Sequence, residues 1–110
     1  MYKVIDKVEA LSLAAGDEDL ARDMFNMLIN ELPAHLEALH ASYVAEDRTT
    51  LQHHVHKING ATRYCGVPAL REAANALEQA IKLDMQDISD RYQKILFEID
   101  RLLAEKDNHL

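Results

Sequence analysis

Cysteine, glycine, proline and long apolar runs are all scarce in this sequence, and each scarcity excludes something. Its 110 residues contain one cysteine (Cys65), three glycines and two prolines. A lone cysteine forms no internal disulfide and no cysteine-built zinc site, and it fits a reducing compartment, so the expected location is the cytoplasm. So few turn formers favour a few long helices over many short strands. No stretch approaches the roughly 18–20 consecutive apolar residues of a membrane span, and direct membrane contact is not expected. The opening MYKVIDKVEA carries acidic residues and lacks an apolar signal core, which argues against export. A basic excess is missing too. The formal net charge is −7, with 12 Lys and Arg spread along the chain. A phosphate backbone would be repelled by that total, so nucleic acid is not an expected partner.

What is present reads as one small domain. Apolar residues make up 48% of the chain and charged residues 28%, the balance of an ordinary globular protein, and 110 residues leave no room for a second core. The expected organisation is a single domain over 1–110, with a short N-terminal helix over about 1–15 and bundle helices over 17–106. In the first helix Val4, Val8 and Leu11 share a face, and Ala14-Ala15-Gly16 ends it. Asp17 is a natural N-cap for the second, where Leu20, Met24, Met27 and Leu28 form an apolar stripe. Pro33 predicts a break or kink near Leu32, after which Leu36, Leu39 and Tyr43 continue the row to Val44. Glu46-Asp47-Arg48-Thr49 forms a polar corner. Gly66 suits the position just past a helix and Pro68 the first turn of the next. Leu70, Ala74, Leu77 and Ile81 mark that helix; Ile88, Tyr92, Ile95, Ile99 and Leu102 mark the last, with KDNHL expected to fray. The fold class is therefore all-α: an antiparallel up-and-down four-helix bundle with short additional helical segments at the N-terminus. One such bundle can bury its own stripes, so a monomer is expected.

The informative stretch runs from Thr49 to Gly66. At about 100° per residue, Leu51, Val55, Ile58, Thr62 and Cys65 fall within roughly 40° of one direction, and His56 points about 140° away from it. The outward face also carries Thr49, Gln52, His53, Gly60 and Arg63, and Tyr64 lies nearer to it than to the core. Gly60 stands out, because a glycine inside a helix costs roughly 1 kcal/mol relative to alanine and no packing contact on this face requires it. Removing the side chain one turn beyond His56 clears space in front of the imidazole, so that another protein's backbone could approach the ring. A lone surface histidine is ordinarily just solvated, and His35, His40 and His109 read as surface or edge residues. An exposed histidine beside a clearing is what transfer between two proteins needs.

Two other readings compete. His53, His54 and His56 are close enough in sequence to suggest a metal-binding bundle, but no carboxylate or cysteine completes the set at i+4 spacing. A plain helical adaptor would use the same surface with no chemistry at all. An autonomous kinase is excluded, since the chain has no glycine-rich nucleotide site. Met24 and Met27 read as core packing, and Cys65 as a buried, inert thiol.

The run His56-Lys57-Ile58-Asn59-Gly60-Ala61-Thr62 resembles the HxxxG(A/S)(A/S/T) signature of histidine phosphotransfer (HPt) domains. Gly66, ten residues after the histidine, and the following LREAANALEQAIK also fit. The longer string HKINGATRYCGVPALREAANALE is similar to the C-terminal HPt domain of hybrid sensor kinases of the BarA/GacS type, and DEDLARDMFNMLINELP to the second helix of such domains. The resemblance implies a phosphorelay intermediate. His56 would accept a phosphoryl group through Nε2 from a receiver-domain aspartyl phosphate and pass it to the aspartate of a response regulator. No cofactor would be bound by this chain; Mg²⁺ would come with the receiver. Glu78, on the flank beside core-facing Leu77, would orient Nδ1, with Gln79 as the alternative and an ordinary surface acid as the bland one. Lys57 and Arg63 would either steer the phosphoryl group or merely solubilise the surface. Many relatives carry lysine where this chain has Asn59. The docking surface for receivers would comprise Gln52, His53, Asn59, Gly60, Arg63 and Tyr64.

Overall fold

Three aspartates start the first three helices. The computed structural model describes residues 2–109; Met1 and Leu110, the two ends of the expected domain, lie outside the described residues. The carboxylate of Asp6 accepts from the Glu9 N–H at 3.0 Å and opens α1 (Lys7–Leu13). Asp17 does the same for α2 (Glu18–Val44) through Leu20, and Asp47 for α3 (Arg48–Thr62) through Thr50. Each such cap satisfies one of the N–H groups that a helix start leaves unpaired. Pro68 sits at the first position of α4 (Pro68–Lys82), where its missing N–H costs nothing. The last helix, α5 (Ser89–Glu105), runs into a 3₁₀ turn at Lys106–Asn108.

No strand occurs among the described residues. α3 packs on both α2 and α4, α4 packs on α5, and α5 returns to α2, closing a four-helix ring. The connectors at 45–47, 63–67 and 83–88 are short enough to make successive helices antiparallel. At 1.5 Å per residue α2 is about 40 Å long, and it accounts for the long dimension of the molecule, 42 Å. The apolar rows of α3, α4 and α5 meet inside the ring. Val55, Ile58, Leu77, Ile95 and Ile99 are all fully buried there, and burial of each stabilises the fold by roughly 1.5–3 kcal/mol. Cys65 is buried as well. Burial, helped by the nearby Glu31 charge, pushes its thiol up to about 11, and its Sγ donates to the Met24 and Ala61 carbonyls.

Several sequence expectations are corrected. α2 does not break at Pro33; it runs through it as one helix. The proline ring faces solvent while Leu32 and Leu39 on either side are fully buried, so packing holds the helix across the missing hydrogen bond. Val8, Leu20 and Met27 are exposed, and Ala10, Ala14, Ala21 and Phe25 line the core in their place. α3 ends at Thr62, so Gly66 lies within the connector and is not the residue just past the helix. It is needed there for another reason. Its φ is +67°, and a Cβ would stand 2.6 Å from both Ala10 Cβ and the Asp6 carbonyl oxygen. The chain before α1 crosses at this point, with the Asp6 N–H donating to the Gly66 carbonyl at 2.8 Å. The segment expected to fray instead turns back on the bundle. His109 is buried, its ring stacked on Phe25 at a centroid distance of 3.8 Å.

Candidate functional site

α3 presents its outward face beside α4, and one carboxylate joins the two helices. The His56 side chain is 72% exposed, whereas that of Glu78, which it meets, is 4% exposed. His56 Nδ1 lies 2.6 Å from Glu78 Oε2. Asn59, one turn along α3, donates its Nδ2 amide to Glu78 Oε1 at 2.7 Å. Lys82, one turn along α4, places Nζ 3.5 Å from the same Oε2 that meets the histidine. A buried glutamate is thus held from three sides.

This arrangement fixes the imidazole's proton. Burial pushes the Glu78 carboxyl up, but the Asn59 amide, the His56 hydrogen bond and the Lys82 charge outweigh it and hold the group below the usual carboxylate range. An ionised carboxylate can only accept, so Nδ1 must carry the hydrogen. In the neutral ring Nε2 then holds the lone pair, on the side turned away from Glu78. What the geometry offers chemically is an oriented, solvent-facing ring nitrogen that is a nucleophile in the neutral tautomer.

The clearing beside it is real. A Cβ built on Gly60 meets nothing within 4 Å. Around it His53, Arg63 and Tyr64 are exposed and Gln52 is half-buried. Tyr64 also borders a shallow apolar cavity with Met24, Met27 and Ala61, which extends this face towards α2.

Two residues stand elsewhere than the sequence suggests. Asn59 is 4% exposed and turned towards Glu78, not on the outward face where the sequence reading places it. Lys57 is exposed on the opposite flank of α3, where its charge acts on His35 and His54. The cation beside the His56–Glu78 pair is Lys82, which sequence reasoning missed although it is the i+4 neighbour of Glu78. Gln79, the alternative to Glu78, is exposed. Among the described residues no three of His, Cys, Asp and Glu are grouped to hold a metal ion, and no helix is long and apolar enough to cross a membrane.

Glu78 also ties the site to stability. Because its folded value is lowered, its contribution is fully present above the pKa it has when unfolded. That contribution is lost as pH falls through its folded value. Glu78→Ala is expected to lower stability at neutral pH by about 1–3 kcal/mol, chiefly because the Asn59 amide is left buried without an acceptor. The variant should also lose less stability than the wild type across the acidic carboxylate range. Denaturant unfolding at several pH values checks both; parallel wild-type and variant curves would refute the linkage.

Comparison with known proteins bears on this geometry. The model of a family described as "Hpt domain" matches residues 23–108. The sensor histidine kinase GacS of Pseudomonas protegens is 43% identical over 103 residues, covering 94% of this chain. The signal transduction histidine-protein kinase BarA of Escherichia coli is 33% identical over 98 residues, covering 87% of it. The chain spans only 11% of the length of either relative. Among solved structures, the HPT domain from a sensor hybrid histidine kinase of Shewanella superposes with a TM-score of 0.90 at 25% identity, covering 96% of this chain and 92% of that one.

Proposed function

The chain belongs to the Hpt domain family, the histidine phosphotransfer modules of two-component phosphorelays, and from that premise we propose that His56 is its phosphoryl carrier. The observation that carries this reading is the exposed His56 ring whose Nδ1 is pinned to the buried Glu78 carboxylate. Phosphoryl transfer depends mainly on positioning and charge stabilisation. The Nε2 lone pair attacks the phosphorus of an aspartyl phosphate as the O–P bond breaks, and the bond's electrons leave on the aspartate carboxylate. Nδ1 keeps its proton, so the ring turns from neutral to cationic while Glu78 faces the new charge. Transfer onward to a second aspartate is the same step reversed.

The donor is a receiver domain of a hybrid kinase and the acceptor that of a response regulator. Either brings the Mg²⁺, so this chain supplies no cofactor and no ATP-driven kinase activity. Gln52, His53, Gly60, Arg63 and Tyr64 form the face on which receivers dock, and Gly60 lets their loops reach the ring. Residues 1–110 act as a single monomeric domain in the cytoplasm, as the cytoplasmic C-terminal end of an inner-membrane sensor kinase would.

The test incubates the protein with Mg²⁺ and the ³²P-phosphorylated receiver domain of a BarA/GacS-type kinase, then locates the label. The expected product is acid-labile and base-stable, with the phosphoryl group on Nε2 of His56. Label on another residue would move the carrier away from His56, whereas none from several receivers would turn the reading towards an adaptor or a histidine-cluster metal site.

A further inference from the structure

The Glu78 carboxylate is shared between two groups whose charges change differently when the site reacts. In the resting site Oε2 meets both the His56 Nδ1–H at 2.6 Å and the Lys82 ammonium at 3.5 Å. Lys82 is the one lysine or arginine within 4 Å of Glu78 among the described residues, and its side chain is 48% exposed, so it is free to move at its end. When Nε2 takes a phosphoryl group the ring becomes cationic and can balance Glu78 alone. At the same moment about two negative charges arrive on the far side of the ring. The long lysine stem then has a weaker hold on Glu78 and a stronger acceptor nearby.

We propose that Lys82 changes partner on phosphorylation, from Glu78 to the phosphoryl oxygens of phosphorylated His56, and thereby sets how far the transfer equilibrium lies towards the histidine. The inference rests on His56 being the carrier. Neither Lys57, turned towards His35 and His54, nor Asn59, which carries no charge, can play this part. The attack itself is unchanged: Nε2–P forms, the aspartyl O–P bond breaks, and Nδ1 keeps its proton.

The test measures the equilibrium between a ³²P-phosphorylated receiver domain and the wild-type, Lys82→Met and Lys82→Arg proteins, with ³¹P NMR of each phosphorylated form. Lys82→Met should shift the equilibrium about tenfold towards the aspartyl phosphate, the low end for a charge-assisted bond at a half-exposed site. Lys82→Arg should restore most of it, and the ³¹P resonance should move in Lys82→Met alone. The ¹⁵N shifts of the unphosphorylated His56 ring should keep the Nδ1–H tautomer in all three. If wild type and Lys82→Met share one equilibrium and one ³¹P shift, Lys82 is only a surface partner of Glu78. A tautomer lost in Lys82→Met would mean that it acts through Glu78, and the partner exchange would be wrong. A wild type that takes no label at all overturns the carrier reading itself, a result distinct from either.

Discussion

His56→Gln is expected to fold as the wild type does and to carry no phosphoryl group whatever the receiver. The side chain is 72% exposed, so its replacement leaves no cavity. The glutamine amide can still donate to Glu78, which keeps the Asn59 and Lys82 contacts in any case. The stability change should therefore stay within about 0.5–1 kcal/mol. Chemistry is another matter, because an amide nitrogen has no available lone pair. The other histidines do not offer a substitute. His109 is buried against Phe25, and His35 and His54 are half-buried, with burial holding both below the ordinary histidine range. His40 and His53 are exposed, but among the described residues neither has a carboxylate within 4.0 Å to orient its ring. Thermal melts and ³²P transfer on one preparation check both halves. Full labelling of His56→Gln would move the carrier to another residue, whereas an unfolded variant would contradict the exposure on which the argument stands.

How far this site could be read from sequence follows from the symmetry of a single helix. The rows Leu51-Val55-Ile58 and Leu70-Ala74-Leu77 declare their buried faces because the 3.6-residue period is a property of the backbone itself. With the core direction known, His56 and Gly60 follow as outward. The flanks do not. Asn59 lies about 80° to one side of the core direction and Lys57 about 120° to the other, and nothing within the helix says which flank meets α4. The structure breaks the tie: Asn59 faces α4 and Glu78, and Lys57 faces the α2 side. That is why a residue placed on the docking face is buried and why the cation comes from a different helix. Lys82 was legible in one respect, since its i+4 spacing from Glu78 is visible in LEQAIK. What that spacing could not reveal is that Glu78 also reaches His56. The errors outside the site have the same origin. Met27 and Leu20 fit a stripe, but the face that α2 turns inward there runs through Ala21, Phe25 and Leu28, about 100° round the helix, and a proline that would stop an isolated helix is carried through by its neighbours.

Gly60→Gln is expected to make the protein more stable and nearly inactive. Stability should rise because glycine is a poor helix residue and nothing within 4 Å obstructs a Cβ at this position. The gain should be about 0.5–1 kcal/mol, which for a domain of this size raises the melting temperature by roughly 2–8 °C. Activity should fall for a directional reason. Side chains on a helix lean towards its N-terminus, so one placed at 60 projects back over the turn that carries His56. A receiver's phosphorylated loop would then be held off Nε2, and a displacement of about 1 Å from attack distance costs on the order of 100-fold in rate. Gly60→Ala, with only a methyl group, should share the stability gain and lose far less of the rate. The ordering wild type, alanine, glutamine should therefore run one way in transfer rate, while both variants melt above the wild type. Transfer by Gly60→Gln at the wild-type rate would show that the clearing has no part in docking. Loss of stability in both variants would make Gly60 a packing residue, against the open space beside it. The opposed signs make the pair informative, since a glycine kept for the fold and a glycine kept for a partner predict different melts.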